Sequence, residues 1–363
     1  MSKLGSENMK ILVLSSAPIN TGSALRARYI AKALRKQGND IFFIEPIKGL
    51  PYLLDYGVSL PIYTIKSIFK KCDVAIAVKP FPNGCIPILF KKLGESKAVV
   101  DIDDLDYGYR KGIISLLSKL SQAPFPRRCD LITTYNQYLE QYILDEFKVS
   151  NENIYRLDVG VDLSIFNPLR EDIIEFSNTS NLKDENLIVY TGHLNIACYL
   201  DKILKAFKNV LYYNKKVKLL VVGGGPLLKH YQNIVNKMNL EQNVLFTGYV
   251  EHQDIPKYIS IANICILYHE DNYVNYVRSS TKIREYLAMG KKVVCNDVGE
   301  LKLFKEYTYQ SSSNIKEFSE EINHALEDTN KNKLKLAQKF IKDNYSWDII
   351  GKKFNKKLTS IIE

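Results

Sequence analysis

The run Ser279-Ser280-Thr281-Lys282-Ile283-Arg284-Glu285-Tyr286-Leu287-Ala288-Met289-Gly290, continuing as Lys291-Lys292-Val293-Val294-Cys295-Asn296, decides how this chain is read. Hydroxyl residues open a short helix, Gly290 stops it, and an apolar run follows as a buried strand. A capped helix N-terminus presents free backbone N–H groups and the positive end of the helix dipole, a setting for an anion such as a diphosphate. Lys282 in the first turn adds a full positive charge, and Glu285, one turn on, is placed to accept hydrogen bonds from ribose hydroxyls. The alternative is a capped surface helix in which Lys282 and Glu285 merely pair with each other at i,i+3.

The pattern of strand then helix extends to both sides. In the first half, Lys10 to Ser16, Ile41 to Ile44, Val74 to Val78, Ala98 to Ile102 and Leu131 to Thr134 read as short buried strands, with an amphipathic helix over about Ala24 to Gln37. In the second half, strands are expected at Leu187 to Gly192, Lys218 to Val222, Val244 to Gly248 and Ile264 to Tyr268. Helices are expected over about Leu200 to Tyr213 and Lys229 to Met238. Between the halves, Glu171 to Glu185 is polar and rich in turn formers, as in a linker. The last segment, Trp347 to Ile362, reads as a strongly basic helix with Ser346 as its N-cap. The expected fold class is α/β, with two doubly wound Rossmann-like domains facing across a cleft. Their expected bounds are 1–168 and 169–345, followed by a C-terminal helix, 346–363, crossing back to the first domain.

Bulk properties narrow the function. At 363 residues the chain is long enough for two medium domains, and 46% hydrophobic with 25% charged residues is an ordinary globular balance. No window approaches the roughly 18 apolar residues needed to span a bilayer. Met1 to Asn8 are polar, without the apolar core of a signal peptide, so the expected location is the cytoplasm. The six cysteines show no C-x-x-C pair and the five histidines no H-x-x-x-H pair, so neither a disulfide framework nor a protein-held metal is expected. A net charge of +10 favours anionic partners, but charge alone gives no ground for a nucleic-acid partner.

Several motifs recur in an order that resembles the GT-B fold retaining glycosyltransferases of family 4, over nearly the whole chain. Gly160-Val161-Asp162 with Phe166 and Pro168 resembles the family's n-G-V-D-x-x-x-F-x-P. Val222-Gly223-Gly224-Gly225-Pro226 resembles v-G-x-G-P, Phe246 to Val250 resembles f-x-G-x-v, and Tyr345-Ser346-Trp347 resembles f-S-W. The opening run resembles the donor segment in an S-x-K-x-x-E-Y form. The resemblance assigns the backbone around Ser280 and Thr281 to a donor diphosphate and Glu285 to the donor ribose, with His193 and Gly225 also at the donor. It implies transfer of a hexosyl group from a nucleotide diphosphate sugar to a glycan or lipid-linked glycan, retaining and without a metal or other cofactor, in surface polysaccharide or glycoconjugate synthesis.

Two departures from the family pattern bear on mechanism. Eight residues before Glu285, where relatives carry a glutamate for the transferred sugar, this chain has Val277. The Arg and Lys of the family's G-R-L-x-x-x-K-G fall on His193 and Cys198, so two fixed cations are missing. Histidine is largely neutral at pH 7, and a diphosphate leaving group needs compensating positive charge. Lys282 is the natural replacement and is the expected catalytic cation. In the first domain, Gly22 and Ser23 are expected to let backbone N–H groups approach the diphosphate. Arg26 and Arg28 are expected either at an acidic acceptor or as solvated helix charges. Asp103, in the run Asp101-Ile102-Asp103-Asp104-Leu105-Asp106 after a buried strand, is the expected acceptor contact and second catalytic candidate, against a loop of solvated acids. The segment Tyr109 to Arg128 mixes Ile and Leu with Lys and Arg, which suits peripheral contact with an anionic membrane surface, the alternative being a core-facing helix with a basic outer face. The lost glutamate and cations support a rival reading, a catalytically impaired GT-B protein acting as a binding or scaffold partner. A dinucleotide-dependent oxidoreductase, suggested by Gly223-Gly224-Gly225, is disfavoured because Leu228 stands where the last glycine of G-x-G-x-x-G belongs.

Overall fold

The computed structural model describes residues 8–19, 21–46, 52–105, 108, 112–183 and 185–363. The polar leader before Asn8, Asn20 of the first loop, Asp106 of the acidic run and Tyr109 to Lys111 of the basic segment lie outside the described residues, as do the side chains of Ile113, Ile114 and Leu117.

Two compact units account for the chain. The first comprises Met1–Val159, Val277–Ser279 and Trp347–Glu363, and the second Gly160–Tyr276 and Ser280–Ser346. In the first unit the elements run β1 Lys10–Ser15, α1 Gly22–Lys36, β2 Asp40–Ile44, α2 Tyr52–Ile68, β3 Val74–Val78, α3 Pro82–Lys92, β4 Lys97–Asp101, α4 Gly112–Gln122, β5 Leu131–Thr134, α5 Gln137–Phe147 and β6 Ile154–Arg156. The strands form one parallel sheet in the order β2-β1-β3-β4-β5-β6. β1 and β3 are buried almost throughout, because helices cover both faces and leave no solvated side for polar residues.

The second unit repeats the scheme. Its elements are α6 Glu171–Thr179, β7 Asn186–Thr191, α7 Leu200–Tyr213, β8 Val217–Val222, α8 Leu228–Lys237, β9 Val244–Gly248, α9 Ile255–Ser260, β10 Ile264–Leu267, α10 Tyr273–Tyr276, α11 Thr281–Ala288, β11 Lys292–Asn296, β12 Tyr309–Ser311, α12 Ile315–Glu327 and α13 Lys331–Tyr345. The sheet is again parallel, ordered β12-β11-β10-β7-β8-β9. Two six-stranded parallel sheets with flanking helices make the two-domain Rossmann-like α/β arrangement expected from the sequence.

The final helix, α14 Trp347–Ile362, is part of the first unit. Trp347 stacks on Tyr29 of α1 with ring centroids 5.4 Å apart, and Phe354 stacks on Tyr155 at 6.0 Å. The crossing from first to second unit falls at Val159–Gly160, ahead of the expected bound at 168, because Val161 and Phe166 are buried in the second unit's core. The segment read as a linker is also structured: α6 buries Ile173 and sets Phe176 edge-on to Tyr258 at 5.3 Å.

Among the described residues no helix is long and apolar enough to cross a membrane. All six cysteines are free, and burial pushes the thiols of Cys129, Cys265 and Cys295 up to about 12, which makes them inert core residues.

Candidate donor site in the second unit

The opening sequence folds as α11 followed by β11, with Gly290 in the left-handed conformation (φ 69°) between them. From Ile283 to Ala288 the helix is buried. Tyr286 fixes it to the end of β7: the Thr191 N–H donates to Tyr286 Oη at 2.8 Å, and the two hydroxyls lie 3.0 Å apart. Below the helix, the wholly buried Arg284 donates to the Ser280 carbonyl at 3.0 Å and pairs with Glu300. Its guanidinium also lies 4.6 Å from the Tyr345 ring centroid and 5.1 Å from that of Phe304. The helix start is therefore held from beneath by an ion pair and from the side by a tyrosine.

Ser280 occupies the N-cap position, but its hydroxyl makes no capping bond and is buried without a partner, which departs from the expected side-chain cap. The first-turn N–H groups of α11 are left without a side-chain acceptor from that residue. Thr281 is exposed at the first helical position.

Lys282 reaches across to the loop after β7. A Cβ built on Gly192 would lie 2.6 Å from Lys282 Cε and 3.1 Å from Nζ, and the ammonium sits 5.9 Å from the Tyr190 ring centroid. The cation from α11 thus stands at the loop where the resemblance lacks its arginine and lysine. His193 is exposed there, and Cys198 is buried with its thiol 3.3 Å from Tyr231 Oη.

The glycine-rich loop after β8 closes the same corner. A Cβ on Gly223 would fall 2.0 Å from the Gly192 carbonyl oxygen, and one on Gly225 would fall 2.5 Å from that of Leu194. These glycines let two loops lie directly on one another, a packing reason for the run that needs no dinucleotide. The structure brings Gly192, His193, Gly225, Ser280, Thr281 and Lys282 to the loops at the carboxyl ends of β7 and β8 and the start of α11, the end of a parallel sheet where ligands bind.

Glu285 turns to His252, whose Nε2 lies 3.3 Å from Glu285 Oε1, rather than to Lys282. Among the described residues no Lys282–Glu285 ion pair is found at i,i+3. Although burial works against it, the neighbouring Glu285 and Asp162 raise the His252 pKa above its usual 6.5. His252 was missed by sequence reasoning, since it sits in a loop with no periodic or motif signal.

The remaining predicted residues lie in the first unit. Gly22 opens α1 with open space around it, behind Thr21, whose hydroxyl caps the helix by accepting from the Ala24 N–H at 3.3 Å; Ser23 is buried. Arg26 is buried and binds both oxygens of Asp101 at 2.7 and 2.9 Å, with further bonds to the Leu157 and Asp158 carbonyls. Arg28 pairs with Glu45. Arg26 is thus committed inside its own unit and is not a solvated helix charge, whereas Arg28 stays part-exposed beside Glu45. Of the acidic run, Asp101, the last residue of β4, also accepts from Thr133 at 2.6 Å, and Asp103, its side chain 8% exposed, pairs with the buried Lys79 at 3.4 Å, so these two acids are not solvated. Lys79 itself adopts a left-handed backbone (φ 74°), uncommon for a residue with a side chain. Val277, where the resemblance expects a glutamate, is wholly buried in the apolar core of the first unit. In the basic segment, Leu116 and Leu120 are exposed, while Lys119 pairs with Glu146 at 2.6 Å.

Residues 172–347 match the sequence profile of the family described as glycosyl transferases group 1. The chain is 26% identical over 223 residues to an uncharacterized glycosyltransferase of Methanocaldococcus jannaschii, covering 57% of this chain and 53% of that protein. It is 25% identical over 128 residues to the alpha-monoglucosyldiacylglycerol synthase of Streptococcus pneumoniae, covering 34% of this chain and 29% of that one. The chain thus matches about half or less of the length of these curated relatives. Among solved structures, HepE of Anabaena in complex with UDP superposes with a TM-score of 0.75 at 15% identity, covering 97% of this chain and all of that one. Sucrose-phosphate synthase from Thermosynechococcus elongatus gives a TM-score of 0.77 at 15% identity, covering 97% of this chain and 99% of that chain. These likenesses establish the GT-B fold.

Proposed function

We propose that this chain, whose second unit carries a glycosyltransferase group 1 domain, transfers a hexosyl group from a nucleoside diphosphate sugar to a glycan or lipid-linked glycan, with retention at the anomeric carbon and without a metal. In that reaction the bond between the anomeric carbon and the diphosphate breaks, a bond to an acceptor oxygen forms, and the proton of the acceptor hydroxyl passes to the departing diphosphate. Negative charge develops on the departing diphosphate. The first turn of α11 and the Lys282 ammonium supply the positive field that stabilises it, and Glu285 holds the ribose. The observation that carries this reading is the place of Lys282 Nζ, 3.1 Å from a Cβ built on Gly192, which supports the replacement of two missing cations by one. The complex of the Anabaena protein with UDP supports a nucleotide donor.

The direct test is a thermal-shift screen with UDP, GDP, ADP and their sugars, followed by release of the nucleoside diphosphate in the presence of glycan and lipid-linked glycan acceptors. A ligand selective for the folded state raises its apparent stability. Absence of any nucleotide response overturns the donor assignment, and NMR of the product's anomeric proton decides retention. Peripheral membrane contact is part of the proposal. It rests on the exposed Leu116 and Leu120 of α4, and lack of binding to anionic vesicles would dismiss it.

A second reading has its own observation. Val277 in place of a glutamate, with His193 and Cys198 in place of cations, favours a catalytically impaired binding partner. Neither donor hydrolysis nor transfer across a broad acceptor screen, with nucleotide binding retained, would establish it.

A further inference from the structure

We infer that His252 is a positioning residue for the donor ribose: it anchors one oxygen of the Glu285 carboxylate so that the other is presented to the nucleotide. This rests on the donor-site reading above. Glu285 is only 8% exposed, yet its bonding is lopsided. Oε1 meets His252 Nε2 at 3.3 Å, while Oε2 has no hydrogen-bond partner among the described residues and is not sealed among the buried unsatisfied atoms. A carboxylate with one oxygen tied and the other open is oriented without being used up.

The histidine is itself held on its other sides. Its ring meets Phe166 edge-on, with centroids 5.3 Å apart, and Phe166 is 1% exposed. From α11 it faces Glu285, and from the segment opening the second unit it faces Asp162, both acidic. Asp162 is fixed in turn by accepting from the Ser164 N–H at 3.0 Å and hydroxyl at 2.6 Å. The imidazole therefore sits between a rigid aromatic edge and two carboxylates, which favours its protonated form. A protonated ring binds Glu285 through a charge-assisted bond, about twice as strong as a neutral one. Donor affinity should accordingly be higher when His252 is charged and lower once it is neutral.

The test compares the wild type with His252→Gln, which keeps a donor but does not titrate, and His252→Phe, which fills the space without a bond. Binding of UDP, GDP and ADP is measured by calorimetry from pH 5.5 to 8.5, and the nucleotide that binds wild type best becomes the probe. Inorganic pyrophosphate, which lacks a ribose, is titrated in parallel. His252→Phe should weaken the nucleotide about tenfold or more, the worth of a hydrogen bond to a charged group, and leave pyrophosphate unchanged. The ratio of wild-type to His252→Gln affinity should fall as pH rises, the nucleotide's own ionisation being common to both. Equal loss of pyrophosphate binding would mean that His252 only supports the fold, and nucleotide binding by His252→Phe at the wild-type level and pH profile would equally overturn the inference. If no nucleoside diphosphate binds the folded wild type, the donor site itself is wrong and the inference falls with it.

Discussion

Lys282 and Gly192 share one space: a Cβ on the glycine would meet the lysine's Cε at 2.6 Å. The lysine end lies on the loop only because the loop carries no side chain there, and the glycine's φ of 151° is one that other residues rarely adopt. Lys282→Ala should lower kcat by about 10²–10³-fold, the scale for losing one preorganised group that stabilises developing charge. Little change in melting temperature should accompany it, because the side chain is half-buried at the surface of α11. Steady-state rates of nucleoside diphosphate release measure the effect, and near-wild-type turnover would remove Lys282 from the mechanism.

Arg284 supports that site from within. It is wholly buried and pairs with Glu300, itself 5% exposed. Removing one member of such a pair strands a buried charge, so Arg284→Met alone should destabilise the second unit by about 3–5 kcal/mol. The double variant Arg284→Met with Glu300→Leu should recover much of that loss, since an apolar pair of similar volume has no charge to desolvate. Chemical denaturation of the three proteins measures both steps. A double variant no more stable than the single one would show that the cation–π contacts with Tyr345 and Phe304, rather than the ion pair, dominate.

Parallel strands were legible in the sequence because burial on both faces leaves an unbroken apolar signal; α7 was read at its observed bounds because apolar residues recur along one face of an amphipathic helix. Elements with weak signals escaped. α6 reads as a linker because only Ile173 is fully buried in it, and α2 carries Pro61 inside its span, which reads as a breaker. At the site, α11 and Lys282 were legible from local chemistry. The Arg26–Asp101 and His252–Glu285 pairs were not, since their partners lie 75 and 33 residues apart and tertiary structure alone brings them together.

The His252–Glu285 pair also makes stability depend on pH. The folded pKa of His252 is raised above its ordinary value of 6.5, so the folded state binds the proton more tightly than the unfolded chain. Its contribution is fully present below pH 6.5 and is lost as pH rises through the folded pKa. Stability of the second unit should decline over that window, and the slope should vanish in His252→Gln. The side chain is about a third exposed, so solvent screening keeps the effect small. Urea midpoints at a series of pH values test it, and identical slopes for the two proteins would assign the pH dependence to other groups.

Gly351 tests how α14 docks in the first unit. A Cβ at this position would lie 2.8 Å from the Ala33 Cβ and 3.1 Å from the Ala33 carbonyl oxygen of α1. Part of that obstacle is backbone, which has no rotamer to escape into. In an exposed helix, replacing glycine with alanine gains about 1 kcal/mol. Here the clash should outweigh that gain, because inserting a methyl group into a close-packed interface costs typically about 1–3 kcal/mol. Gly351→Ala should therefore lower the stability of the first unit despite the better helix former, and Gly351→Val should lower it further. Limited proteolysis should then cut between Ser346 and α14 sooner than in the wild type, since opening the chain there requires that α14 leave α1 and the Tyr155 ring of β6. A stabilised Gly351→Ala protein would mean that the two helices part at low cost and that propensity, rather than contact, governs this end of the chain.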